Sequence, residues 1–170
     1  MNLFRHRLSG LPARLPALVL LCAAAGCSSA DDSASAAVPS PTAKTVKLCR
    51  NLDRALPSKV DGQSRRDPEP ASALTAGWGD PAIILRCGVE RPPKMVDPEV
   101  AQGRDADAVA GGVNGVDWLM EKRDGGGYRF TTASRSAYVE VTVPEGVDSS
   151  SVLIDLASGI KEAVPVGIAD

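Results

Sequence analysis

A three-strand meander is encoded by residues 116–143, VDWLMEKRDGGGYRFTTASRSAYVEVTV. Its last segment has the plainest pattern, because valines at every second position alternate with Tyr138, Glu140 and Thr142, and a period of two indicates a strand with one buried face. The glycine run at 124–127 predicts a turn. We therefore expect strands at residues 116–122, 128–133 and 137–143.

Two further strands are predicted upstream of the meander. Residues 82–89, AIILRCGV, carry apolar residues on both faces, which is typical of a central strand. A shorter strand is expected at 72–76, and WGDP at 78–81 has the residues of a tight turn between the two. The stretches 58–70 and 91–112, rich in proline and charge, are predicted to be exposed loops.

An amphipathic helix is predicted at each end of the strand region. Leu48 and Leu52 recur at helical spacing before Pro57 ends the first helix. Asp148 or Ser149 is the expected N-cap of the last helix. Its apolar side carries Val152, Leu153, Leu156 and Ile160. These elements predict an α+β fold, an antiparallel sheet of about four to five strands covered by the N- and C-terminal helices.

The first 26 residues have the pattern of a bacterial export signal. Three arginines precede an apolar stretch at 15–26, which is shorter than the about 20 residues of a spanning helix. The residues AAGC at 24–27 resemble a lipobox and predict cleavage before Cys27, whose thiol would carry lipid with fatty acids such as palmitate. Cys22 does not fit as the lipidated cysteine, because a bulky leucine directly precedes it. An ordinary secretory signal with a free Cys27 is the alternative.

Cleavage there would leave 144 of the 170 residues and remove His6, the sole histidine. The mature chain would then have no imidazole for catalysis, metal binding or pH sensing. The net charge of −2, with no basic block, disfavours an electrostatic nucleic-acid binder, and no nucleic-acid partner is expected. The Ser/Ala/Pro-rich residues 27–45 are expected to be a flexible tether, and residues 46–166 a single α+β domain.

Two cysteines remain in the predicted domain, Cys49 on the first helix and Cys87 on the central strand. In an exported protein such a pair usually forms a disulfide, and closing a loop of about 38 residues contributes at most about 4 kcal/mol. A catalytic thiol or a metal site is disfavoured, since no histidine and no Cys-x-x-Cys accompanies them. We expect neither metal nor cofactor.

Some polar residues could carry chemistry without a histidine. Ser158 and Lys161 have Ser-x-x-Lys spacing, but they lie near the end of the last helix and lack the other motifs of penicillin-binding proteins. Two acidic pairs of the 91–112 loop could act as the acids of a glycosidase or as cation ligands. They are Asp97 with Glu99 and Asp105 with Asp107. Their loop position favours solvated carboxylates, so no catalytic residue is assigned.

Arg86 interrupts the apolar central strand, and a charge there needs a partner. The structural interpretation is an ion pair with Asp80, Asp53 or Asp117. The functional interpretation is a clamp on a carboxylate or phosphate of an envelope polymer, with Trp78 stacking nearby. Arg86, Trp78 and Asp80 are therefore the candidate ligand-binding residues.

Several short motifs carry a family resemblance. They are CRNL at 49–52, LP at 56–57, TAGWGDP at 75–81, LRCG at 85–88 and VNGVDW at 113–118. Together they resemble a family of secreted proteins and lipoproteins of high-GC Gram-positive bacteria, defined as a domain of unknown function. The resemblance covers residues 47–165 and implies an exported single-domain envelope protein with a cysteine pair. It implies no reaction or substrate.

The main hypothesis is a non-catalytic lipoprotein at the outer face of the cytoplasmic membrane, a binding or accessory module whose partner is an envelope polymer or an envelope protein. The alternative is a small carboxylate-dependent hydrolase of cell-wall material. A solute-binding component of a transporter fits less well, because the folded part is too short for two lobes. A deep cleft with two carboxyl groups about 5–9 Å apart would favour the hydrolase.

Overall fold

A computed structural model describes residues 34–169 of the chain. The strands are β1 (Lys59–Val60), β2 (Gln63–Ser64), β3 (Thr75–Trp78), β4 (Ile83–Cys87), β5 (Ala108–Val113), β6 (Val116–Lys122), β7 (Tyr128–Ala133) and β8 (Val139–Val143). The helices are α1 (Ala43–Ala55), α2 (Pro98–Ala101) and α3 (Ser149–Ala163), with a 3₁₀ turn at Pro93–Val96. Across residues 34–169, no helix is long and apolar enough to cross a membrane.

Six strands form one antiparallel sheet in the order β3-β4-β8-β7-β6-β5, and β1 and β2 form a separate hairpin. The β5–β6 hairpin closes through Asn114-Gly115, both with positive φ, as a two-residue turn of this type requires. The α+β class is confirmed. The sheet has one or two strands more than the expected four to five, because β5, most of which lies in a predicted loop, pairs with β6.

Both long helices have polar N-caps. Thr42 accepts the N–H of Thr45 at the start of α1. At the start of α3, Asp148 rather than Ser149 is the N-cap and accepts the N–H of Ser150. The two helices pack against each other on one face of the sheet. At their closest approach, a Cβ added at Gly159 would lie 2.8 Å from the carbonyl oxygen of Ala55, so the contact requires glycine.

The main core lies between the helices and this face of the sheet. β4 and β8 alternate buried and half-buried residues, so that their odd-numbered side chains face the helices. The largest buried side chains include Trp78, Leu52, Leu85, Leu156 and Ile160. The other side of the sheet is called the open face. Its β5–β6 end is covered by residues around α2, where Val100 packs with Ala108 and Leu119.

The predicted disulfide is confirmed. Cys49 on α1 and Cys87 at the end of β4 are bonded, with Cα atoms 5.5 Å apart. The bridge ties the first helix to the centre of the main core. It closes a stretch of 38 residues, which also contains the β1–β2 hairpin and β3.

The structure corrects four sequence-based expectations. The 58–70 loop contains the β1–β2 hairpin, and the 91–112 loop contains α2 and the start of β5. The alanines and glycines of β5 have low strand propensity, and pairing with β6 overrides it. Trp78, expected in a turn, ends β3. The expected tether, 27–45, is not flexible throughout, because its residues from 34 onward lie against the domain. The signal and Cys27 lie outside the described residues.

Candidate functional site

Two ion pairs lie side by side on the open face. Arg86 on β4 pairs in register with Glu140 on β8, with Nη1 3.0 Å from Oε1. Arg129 on β7 holds both carboxylate oxygens of Glu121 on β6, at 3.1 and 2.9 Å. Cations and carboxylates therefore alternate across four neighbouring strands. The carboxylates are the more buried partners, because the longer arginine side chains reach over them.

The two pairs interact electrostatically. The hydrogen bonds to Glu121 raise the pKa of Arg129 above its ordinary value, and the charges of Glu121 and Glu140 add to that shift although burial opposes it. Arg129 is therefore attracted by carboxylates on both sides. Both guanidinium groups keep one terminal nitrogen, Nη2 of Arg86 and Nη1 of Arg129, without a hydrogen-bond partner among residues 34–169.

Residues 34–42, called the strap, cross the open face before α1 begins. Ala36 is buried and donates its N–H to the carbonyl oxygen of Glu69 at 3.0 Å. Arg86 Nε donates to the carbonyl oxygen of Ala37 at 2.8 Å. Pro41 then packs on Gly88, where an added Cβ would lie 2.5 Å from its Cγ and where φ is +84°. Both conditions require glycine at this position.

A groove of about 610 Å³ lies between the strap and the segment that follows β4. Its walls are formed by residues 39–42 and 88–93, and the exposed ends of Arg86, Arg129 and Tyr138 line it. Four prolines also line the groove: Pro39, Pro41, Pro92 and Pro93. Because proline fixes its own φ, these four positions restrict the backbone of both walls.

The structure separates the three candidate ligand-binding residues. Arg86 lines the groove, as the functional interpretation requires. Trp78 is fully buried and donates its indole N–H to the carbonyl oxygen of Pro57 at 3.1 Å, so the predicted stacking beside Arg86 is wrong. Asp80 does not line the groove. The predicted ion-pair partners of Arg86 are also wrong: its partner is Glu140, which the strand register places opposite.

The two acidic pairs of the 91–112 loop do not line the groove, and three of their four carboxylates are used locally. Asp97 caps α2, and Glu99 pairs with Arg104 at 2.5 Å. Asp105 pairs with Lys94, which lowers the pKa of Asp105 below its ordinary value. Lys161 donates to the carbonyl oxygen of Asn114, away from Ser158. No group of three or more metal-ligating side chains occurs within residues 34–169.

The sequence did not predict the other polar side chains that line the groove. Tyr138 and Glu140 belong to the polar row of the alternating β8 pattern, so the face they occupy was predictable. Arg129 was not singled out, because no alternation marks β7, where three consecutive residues from Phe130 are buried. The strap could not be found from its composition, which is that of a linker.

The structure shows a small α+β domain with an arginine-lined groove on the open face of its sheet. The sequence model of the family described as "Protein of unknown function (DUF3515)" matches residues 11–168, and the chain belongs to this family. The expected membership of a domain-of-unknown-function family is thus confirmed. No curated protein and no solved structure gave a match.

Proposed function

We propose that this protein is a lipid-anchored binding module of the bacterial cell envelope, of the high-GC Gram-positive type, and that the groove binds an anionic envelope polymer. The single observation that carries the proposal is the pair of arginines, Arg86 and Arg129, with free guanidinium ends in one groove. Envelope polymers carry carboxylates or phosphates, and both groups accept hydrogen bonds from the fork of a guanidinium.

The charge of the groove suits a repeating anionic chain rather than a single strongly held anion. Arg86, Arg91 and Arg129 line it together with Glu90 and Glu140, which leaves a small excess of positive charge. Tyr138 and the prolines add apolar surface beside these charges. Modest charge and apolar walls favour a ligand with alternating polar and apolar parts, such as a glycan carrying short peptides or phosphodiesters.

The strap supports the anchored location. With residues from 34 onward held on the domain, the backbone from an acylated Cys27 to Ala34 spans at most about 25 Å. The groove, whose wall is part of the strap, would then lie close to the membrane. Newly made envelope polymer is also found there, so anchor and ligand would be brought together.

Binding to isolated cell-wall sacculi tests the groove. The full chain is mixed with sacculi and pelleted, before and after removal of phosphate-linked polymers with hydrofluoric acid. The variant is Arg86→Met with Glu140→Gln, which removes the arginine without leaving the buried carboxylate unpaired. We expect the affinity for sacculi, measured from the pelleted fraction over a range of sacculus concentrations, to fall about tenfold, equal to about 1.4 kcal/mol. Loss of wild-type binding after the acid treatment would identify phosphate as the ligand group, and retention of binding would identify carboxylate.

A matched control uses another half-buried ion pair outside the groove. Arg65 lies 2.5 Å from Asp53 and does not line the groove, so Arg65→Met with Asp53→Asn should leave sacculus binding unchanged. Equal binding by the Arg86 variant and the wild type, with both folded, would rule out the groove as the binding site.

A further inference from the structure

The two edges of the main sheet differ. At the β3 edge, the backbone N–H of Arg66 donates to the carbonyl oxygen of Gly77 at 2.8 Å, and Arg65 forms an antiparallel β-bridge with Trp78. This edge is therefore covered. At the other edge, β5 has β6 as its one strand neighbour among residues 34–169. Natural proteins usually protect a bare edge with charges, proline or a bulge. β5, with the sequence AVAGGV, has none of these.

The outward hydrogen-bonding groups of β5 can be identified from the register. Lys122 donates its N–H to the carbonyl oxygen of Asp107, so odd-numbered residues of this segment bond to β6 and even-numbered ones point outward. The N–H of Ala108 faces the carboxylate of Asp105. The backbone groups of Ala110 and Gly112 therefore point outward, and no partner for them is present within the described part of the chain.

These groups match those of a second β5 strand. If two copies pair antiparallel about an axis through Gly111, Ala110 of each faces Gly112 of the other, and each such pair exchanges both N–H···O bonds. Val109, which is 44% exposed, then faces Val113 of the second copy. Gly111 meets itself at the axis, and a Cβ there would contact nothing within 4 Å in one copy. The register therefore brings no side chains into conflict at the axis.

The same register pairs opposite charges. It places Asp107 opposite Gly115 of the second copy. Lys161 on α3 lies beside Gly115, with its Nζ 3.8 Å from a Cβ built there and 2.9 Å from the carbonyl oxygen of Asn114. Asp107 is exposed. Because side chains alternate along a strand, the odd-numbered Asp107 is expected on the same face as Val113, which packs on the helix side where Lys161 lies. By the two-fold symmetry, an Asp107–Lys161 attraction forms twice.

We propose that this protein pairs with a second copy of itself through β5, which joins the two six-stranded sheets into one continuous antiparallel sheet. Backbone hydrogen bonds at Ala110 and Gly112 hold the strands together, and the Val109–Val113 contacts and the Asp107–Lys161 pairs fix the register. The surface is separate from the groove, which lies towards β4 and the strap. Pairing therefore leaves both grooves free, and two copies present two grooves on one assembly.

Disulfide crosslinking tests the pairing in the full chain, in the membranes of cells that make it. At the axis, two facing residues have Cα atoms about 4.5 Å apart, which a disulfide can bridge. Gly111→Cys should therefore give a covalent dimer on a non-reducing gel. The matched control is Gly125→Cys in the β6–β7 turn, which is also exposed and also has no atom within 4 Å of its added Cβ. Its dimer yield should be about tenfold lower.

Charge reversal provides a second readout, in which rescue by the double variant distinguishes lost pairing from misfolding. In the Gly111→Cys background, Asp107→Lys and Lys161→Glu should each lower the dimer yield several-fold, because each puts like charges opposite each other. The two substitutions together should restore the yield, because they exchange the two charges and keep the attraction. Equal yields from Gly111→Cys and Gly125→Cys would overturn the proposal. A chain that remains monomeric while the amides of Ala110 and Gly112 resist hydrogen exchange would also overturn it, since another segment would then cover the edge.

Discussion

Arg86 Nη1 lies 3.0 Å from Glu140 Oε1, directly across the β4–β8 pair. The side chain of Glu140 is 13% exposed and that of Arg86 is 30% exposed, so the carboxylate depends on the guanidinium for compensation. The same guanidinium holds the strap through the carbonyl oxygen of Ala37. This one side chain therefore links the sheet, the strap and the groove.

Removing Arg86 alone should destabilise the protein more than removing the pair. Arg86→Met leaves Glu140 without its partner and should cost about 1–3 kcal/mol in the free energy of unfolding. Arg86→Met with Glu140→Gln should cost clearly less, because no uncompensated carboxylate remains. Urea denaturation of both variants measures the difference. If the double variant proves as unstable as the single one, Glu140 does not depend on Arg86.

Gly159→Ala should destabilise the protein although alanine favours a helix by about 1 kcal/mol. The added methyl group would meet the backbone oxygen of Ala55 at 2.8 Å, and the α1–α3 contact would have to open. We expect a net loss of about 1–3 kcal/mol in thermal or urea unfolding. The neighbouring exposed Ser158→Ala should be neutral or slightly stabilising. A stability gain in Gly159→Ala would show that the helices are not in close contact there.

Replacing both Cys49 and Cys87 with alanine should lower the stability by about 2–4 kcal/mol, because the unfolded chain loses a cross-link that closes 38 residues. Thiol counting by mass spectrometry provides the direct check: under native, non-reducing conditions neither residue of the domain should react with an alkylating agent. Alkylation of both residues in the folded protein would contradict the bridge.

The N-cap of α3 should make stability sensitive to acid. Hydrogen bonds from the Ser151 hydroxyl and the Ser150 N–H lower the pKa of Asp148 in the folded state. Its stabilisation is therefore complete above the unfolded pKa of about 3.9 and is lost as the pH falls through the lower folded value. The Tm difference between wild type and Asp148→Ala should be constant near neutral pH and shrink below about pH 4. Exposed Asp124→Ala serves as the control.

Most of the fold could be predicted because its signals are local. The valine alternation of β8, the apolar run of β4 and the capped apolar side of α3 each record burial within one element. β5 could not be predicted this way, because its residues are small and largely exposed and its strand conformation comes from pairing with β6.

The groove was only partly predictable, because it depends on contacts between distant residues. Arg86 was identifiable as a charge in an apolar strand. Its partner was not, since Glu140 lies 54 positions later and only the β4–β8 register brings the two together. The burial of Trp78 likewise depends on α1 and on the carbonyl oxygen of Pro57, which no local pattern reports.

The most direct test of the account is the intact mass of the protein extracted from the membranes of its native cells. We predict a chain that begins at Cys27, contains 144 of the 170 residues and carries a lipid on that cysteine. Cys27→Ser should release the protein from the membrane fraction. A native chain that carries no lipid, or that retains residues 1–26, would contradict the lipid-anchored module proposed here.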